Sequence, residues 1–473
     1  MCGPPAKGLL IRPCRNNMPT VHFAGPGSLK QRALRAGGWS FAGHGLSMAL
    51  RLGSNLVMTR LLVPEMFGVM TIATIVAVVL GMLSDIGLRQ QIIQSPHGDD
   101  PDFLDSAWVL QVARGFILWF VAILLSAALY GASIGGMLPA NSAYASPNLP
   151  LVIAISSSVA VIDGFQSTRI ATAYRNLNQL PVMKIEFASQ FVAVAVMIGL
   201  GVATRSIWAL VAGGLVGALM STVLSFVWLP GHRNGFRWKK SALRDLFHFG
   251  KWAFVSSVFT VLGANGDTLL LGGFVDAETL GCYAIAAMLM GAVESGVGRI
   301  FSAISLPVLS EVARNEPARL RDMYYKLRVP SDLILLFMAG VLFATGQLLV
   351  DLLYDPRYAT AGGILQVLAL ALITARYGVA YQIYLAVGNP RYMAIIQIVR
   401  CVSLFTLVPF LFYFAGFPAA LWGIALHGLA MVPFVHGFNA RLRLNDLRRE
   451  FMVLGALPLG YLCGISADWI LGL

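Results

Sequence analysis

Runs of about twenty apolar residues recur from end to end of this 473-residue chain. Each is long enough to cross a bilayer core of ~30 Å. A span in hydrocarbon must satisfy its own backbone, so the class is a helical membrane bundle. Apolar residues make up 57% of the chain and charged residues only 12%, against ~25% charged in a soluble domain. Mean hydropathy is +0.74. Spans are expected at 36–58, 66–84, 107–131, 149–170, 185–203, 207–228, 251–273, 281–303, 329–351, 360–384, 391–414 and 418–437. A last run, 451–472, contains Asp468 and reads as a thirteenth span or as a re-entrant hairpin around Pro458 and Gly460.

The net charge of +12 does not point to nucleic acid, because the basic residues crowd into alternate loops. Lys30, Arg32 and Arg35 form one cluster, and Arg233, Arg237, Lys239, Lys240, Arg244 and Lys251 a second. Arg314, Arg319, Arg321, Lys326 and Arg328 form a third, and Arg441, Arg443, Arg448 and Arg449 a fourth. This is the positive-inside bias of a multi-pass protein, and it puts the N-terminus and every cluster in the cytoplasm. Residues 1–35 then read as a disordered basic cytoplasmic tail without the apolar core of a signal peptide. Residues 36–228 form an N-terminal six-helix lobe, 229–250 a basic cytoplasmic linker and 251–437 a C-terminal six-helix lobe. Residues 438–473 add a basic segment and the extra run.

One pattern occurs twice. G-G-W-S-F (Gly37–Phe41) and V-P-E-M-F-G (Val63–Gly68) return as G-K-W-A-F (Gly250–Phe254) and A-E-T-L-G (Ala277–Gly281). Trp39 aligns with Trp252, Glu65 with Glu278 and Gly68 with Gly281, all 213 residues apart. Six spans per half make the two repeats parallel, related by an axis along the membrane normal. Repeats of this kind place a binding site at their interface.

No enzymatic constellation stands out. There is no Walker A loop. G-A-S-I-G (Gly131–Gly135) imitates a nucleophile elbow but follows a span, not a strand. The acidic run Asp99, Asp100, Asp102 and Asp105 reads as a solvated loop. The five cysteines form no disulfide framework, the histidines show no metal-ligand spacing, and no cofactor is implied. What remains is charge inside the spans, which is costly and marks a pathway or a buried pair. Arg51, Asp163, Asp267, Glu294, Arg299 and Arg400 are the candidate cavity residues. Arg114 and Arg376 read as well as side chains snorkelling to the surface. At the common offset Asp267 lies about one helical turn from the position equivalent to Arg51, so the two are expected to meet, or to flank one cavity, and to close its outer end.

R-L-L-V-P-E-M-F-G (Arg60–Gly68), S-D-I-G-L (Ser84–Leu88), I-I-Q (Ile92–Gln94) and S-A-W-V-L-Q-V-A-R-G (Ser106–Gly115) resemble the N-terminal region of the polysaccharide transporter family. These are Wzx-type oligosaccharide flippases of the multidrug/oligosaccharidyl-lipid/polysaccharide superfamily. I-W-A-L-V-A-G (Ile207–Gly213), N-G-D-T-L-L-L-G (Asn265–Gly272) and L-G-C-Y-A-I-A (Leu280–Ala286) extend the likeness. The resemblance implies an all-α, V-shaped pair of six-helix lobes and a central cationic cavity lined by the first, second, seventh and eighth spans. It also implies movement of a polyprenyl-diphosphate-linked oligosaccharide across a bacterial inner membrane for O-antigen, capsule or exopolysaccharide synthesis. Arg51 and Arg299 lie on spans expected to line that cavity. The implied partners are the lipid-linked oligosaccharide, membrane lipids, and a polysaccharide polymerase with its export machinery, around a monomer. A drug antiporter or lipid II flippase shares the fold. A membrane polymerase or glycosyltransferase fits less well, because the loops are too short to hold a catalytic platform.

Overall fold

The computed structural model describes residues 29–83, 88–95, 98–139, 141–176, 178–239 and 262–471. Residues 1–28 and the stretch 240–261, with Lys240, Arg244, Lys251 and Trp252, lie outside them, whereas residues 29–35, expected in the disordered tail, belong to the first helix. Helices α1 (Leu29–Leu61), α2 (Pro64–Leu83), α3 (Leu88–Gln94) and α4 (Pro101–Ile134) open the N-half. They are followed by α5 (Leu149–Ser156), α6 (Val159–Gly164), α7 (Arg169–Arg175), α8 (Leu180–Thr204) and α9 (Trp208–Val227). The C-half begins with α10 (262–274), α11 (Ala277–Asn315), α12 (Leu320–Leu353), α13 (Thr360–Ala369), α14 (Leu372–Ala375) and α15 (Gly378–Ala386). It ends with α16 (Pro390–Leu426), α17 (Val432–Arg441), α18 (Leu447–Leu454) and α19 (Ala456–Leu471).

Among the described residues, nine helical segments are long and apolar enough to span a membrane, and a bent pair, Leu149–Gly164 with Arg169–Arg175, makes up to ten. Helix α1 is not among them: Arg51, Ser54, Asn55 and Arg60 interrupt its apolar face. The expected fourth span is broken by 62°. That break falls between Gly164 and Arg169; Ser157 and Ser158 interrupt the helix earlier, between α5 and α6, where such side chains offer a helix backbone competing partners. Helix α16 contains a hairpin. Gly416 has φ +71°, a conformation open to glycine, and Gly423 packs against Val408 and Leu411 while Ser403 Oγ donates to the His427 carbonyl at 3.0 Å.

Local chemistry sets where the long helices start. Asp100 caps α4, accepting from Asp102 N at 3.2 Å, with Pro101 next. Asp276 caps α11, accepting from Thr279 N at 2.7 Å. Each cap satisfies an orphan donor at a positive dipole end.

The two halves meet at one end of the bundle, here the closed end. A Cβ on Gly68 would lie 1.9 Å from the Ala277 carbonyl oxygen, and a Cβ on Gly281 would lie 1.9 Å from that of Pro64. Pro64 and Ala277 are themselves 213 residues apart, so α2 and α11 cross through a reciprocal contact that admits only glycine. Around it, Tyr358 donates to the Leu62 carbonyl at 2.9 Å, Arg357 to that of Arg60 at 3.1 Å, Ser142 to that of Gly272 at 2.9 Å and Tyr144 to that of Leu269 at 2.8 Å. Phe67 and Tyr358 pack edge to face at 5.8 Å. The apolar core behind this end draws on both halves, whereas the remaining buried clusters each belong to one half. Among the described residues the other end has no such junction, and it is the open end.

One pair of alternatives is settled and one expectation is revised. The last run is a helix, not a re-entrant hairpin. Pro458 falls in the first turn of α19, where its missing N–H costs nothing, and Gly460 lets α19 lie against the Phe337 backbone of α12. The acidic loop is also only partly solvated. Asp105 is buried; it accepts from Gly235 N at 3.0 Å and lies 2.7 Å from His232 Nε2. With Arg169, which donates to the Leu229 and His232 carbonyls at 2.7 and 2.8 Å, it fastens residues 229–239 to the N-half.

Candidate functional site

Four of the six residues expected in a cavity come together in the C-half. Two adjoining hollows of about 420 and 340 Å³ share Glu294, Thr374, Ala375 and Arg400. Arg299 lines the first and Asp267 the second. Helix α11 supplies Glu294 and Arg299, the preceding α10 supplies Asp267 and the distant α16 supplies Arg400, so three helices build one polar chamber. Asp267 accepts a hydrogen bond from the Tyr283 hydroxyl. Arg400 acts electrostatically on Glu294 and hydrogen-bonds to the Tyr381 hydroxyl; among the described residues it forms no ion pair, and its Nε has no hydrogen-bond partner. A guanidinium and a carboxylate that share a cavity without joining can each take a polar ligand.

The N-half holds a counterpart of about 590 Å³, lined by Arg89, Gln111, Arg114, Asp163 and Gln166. Asp163 therefore lies in the opposite half from the other carboxylates. Arg114 is half-buried and donates to the Gly81 carbonyl, so it does not snorkel away from the helices. The two cavities open on the same face of the paired helices. Thr74, Ala77, Val78 and Gly81 of α2 line one; Ala287, Met290, Gly291 and Glu294 of α11, each 213 residues on, line the other.

Arg51 is exposed and lines neither cavity. The ion pair expected between Arg51 and Asp267 is absent: Tyr283 holds Asp267, and the glycine crossing with its surrounding hydrogen bonds shuts the closed end. There Arg357 also donates to Asp355 at 2.8 Å, and this bond holds the Asp355 carboxyl below the usual carboxylate range.

The spacing did not reveal a second charged centre toward the open end of the C-half. Arg328 is completely buried. It grips Glu450 of α18 with both terminal nitrogens, one at 2.9 Å, and its Nε lies 3.2 Å from Asp332. Arg376 lies 3.6 Å from Glu450 and 3.8 Å from Asp332, so it neither snorkels nor faces a pathway. Tyr325 donates to Glu450 at 3.1 Å, and Tyr377 lies under both guanidinium groups at 4.7 and 4.8 Å. Two cations and two carboxylates balance, which marks a structural centre. The one signal in the sequence was the i,i+4 spacing of Arg328 and Asp332.

Residues 57–362 match the family described as polysaccharide biosynthesis protein. The chain belongs to this family. Its relatives include the lipopolysaccharide biosynthesis protein WzxC of Escherichia coli K12, 24% identical over 308 residues that cover 63% of this chain and 58% of that protein. An uncharacterized membrane protein in the cps region of Klebsiella pneumoniae is 25% identical over 304 residues, 63% of this chain and 60% of its own length. The chain thus matches about three-fifths of the length of these relatives. Among solved structures, the lipid II flippase MurJ in an inward closed conformation aligns with a TM-score of 0.67 at 13% identity, covering 90% of this chain and 92% of that one. An inward-facing multidrug resistance MATE transporter aligns at 0.64 and 12% identity, covering 84% and 94%. These likenesses show a shared fold. With the long apolar helices, the family places the chain among multi-pass proteins of the bacterial inner membrane, and its neighbours are transporters and flippases rather than enzymes.

Proposed function

We propose that this protein flips a polyprenyl-diphosphate-linked oligosaccharide from the cytoplasmic to the outer leaflet during surface polysaccharide synthesis. The observation that carries the reading is the pairing of a shut end, built on the Gly68–Gly281 crossing, with charged cavities at one register of α2 and α11. With the N-terminus cytoplasmic, as the basic clusters require, the open end faces the side where the substrate is assembled. Two six-helix lobes, 36–228 and 251–437, then rock about the crossing as parallel repeats. The lipid tail stays in the bilayer while the headgroup passes between them.

Arg299 and Arg400 contact the anionic headgroup, because a guanidinium stays charged and presents forked donors to phosphate oxygens. Arg51 takes it up after the closed end has opened. Glu294, Asp267 and Asp163 are the carboxylates available to couple the motion to an ion. The protein works as a monomer and delivers its cargo to a polymerase and export machinery. The family match favours this cargo over lipid II or drugs.

Proteoliposomes carrying a labelled polyprenyl-diphosphate oligosaccharide test the site. Arg299→Ala and Arg400→Ala should each lower the transfer rate about tenfold or more, the worth of one hydrogen bond to a charged group. Unchanged rates in both would reject these residues as headgroup contacts.

A further inference from the structure

We infer that the groove between α12 and α18 binds the headgroup of an anionic phospholipid. Helices α18 and α19 run alongside α12 in the same direction: Glu450 meets Arg328, Gly460 meets Phe337 and Gly464 meets Ala344. At the open end this leaves a hollow of about 540 Å³ walled by Asp322, Tyr325, Lys326 and Val329 on one side and by Arg449, Met452 and Val453 on the other.

The charges at its mouth are unequal. Arg449 is shared by Asp322 at 3.4 Å and Asp446 at 3.3 Å, and Arg321 lies 3.4 Å from Asp446. Lys326 and Arg448 are exposed and pair with no carboxylate among the described residues. Lys326 and Arg449 thus line the hollow beside a single carboxylate, Asp322. Deeper along the same helices the surface turns apolar. Phe451 and Met452 are 69% and 66% exposed, and Leu333 and Phe337 of α12 are exposed in the same direction along the span. Cations at the lip with apolar wall below match the two ends of a phospholipid; a free phosphate would use only the first. Basic pockets between membrane helices are suited to such headgroups. The groove touches neither cavity, so the inference stands apart from the proposed transport. Because Glu450 holds α18 to the buried arginines, an occupied groove also steadies the C-terminal segment.

Native mass spectrometry of the full chain, titrated with phosphatidylglycerol or phosphatidylcholine, tests it. Phosphatidylglycerol should be retained preferentially, and Lys326→Gln should weaken that retention about fivefold, as should Arg449→Gln. Lys326 pairs with no carboxylate among the described residues, so its loss should leave the fold intact and the comparison valid even if the Arg449 variant unfolds. Equal retention of the two lipids, no effect of Lys326→Gln, or displacement of the lipid by millimolar inorganic phosphate would each overturn the inference.

Discussion

Gly281→Leu is expected to drive the two halves apart at the closed end. No rotamer helps, because the added Cβ would already lie 1.9 Å from a backbone oxygen of the opposite half. The strain falls only on the state in which α2 and α11 cross here. Overpacking costs about 1–3 kcal/mol, enough to move a two-state equilibrium about 5- to 150-fold. Gly68→Leu should act in the same sense, because it meets Ala277 as Gly281 meets Pro64. Spin labels at Val63 and Glu278, on opposite halves, should report a longer distance in either variant. An unchanged distance distribution with the fold intact would remove the crossing from the conformational change.

Glu450→Gln should have the largest effect on stability. Glu450 and Arg328 are 7% and 0% exposed in their side chains, so the substitution leaves two buried guanidinium groups facing Asp332 alone. Breaking a buried pair from one side costs about 3–5 kcal/mol. Thermal unfolding in detergent should begin several degrees lower. Adding Arg376→Met restores charge balance, with Arg328 still 3.2 Å from Asp332, and should recover part of the loss. A double variant no more stable than Glu450→Gln would mean that charge balance is not what holds α18 in place.

Much of the fold was legible because hydrocarbon demands long apolar runs, and the helices follow those runs. The breaks were less legible. Ser156–Ser158 and the Ala369–Gly378 stretch are apolar enough in the mean to read as continuous span, and local hydrogen bonding divides them. The site was legible by residue type but not by partner. Ionisable groups inside spans pointed to Asp267, Glu294, Arg299 and Arg400, which do converge. Which acid each arginine meets depends on helix rotation. A 213-residue offset suggested Arg51 for Asp267, but Tyr283, sixteen residues further along the chain, reaches it first. Arg328 was misleading for another reason: among neighbours such as Arg321 and Lys326 it looked like one more topology signal, and Glu450 lies 122 residues away.

The most direct test is transfer of a labelled polyprenyl-diphosphate oligosaccharide across the bilayer of proteoliposomes that contain the native protein. Transfer well above that of empty liposomes, and lower in the Gly281→Leu variant, is the predicted result. Transfer equal to empty liposomes across O-antigen, capsule and exopolysaccharide repeat units, with correctly folded protein in the membrane, would contradict it.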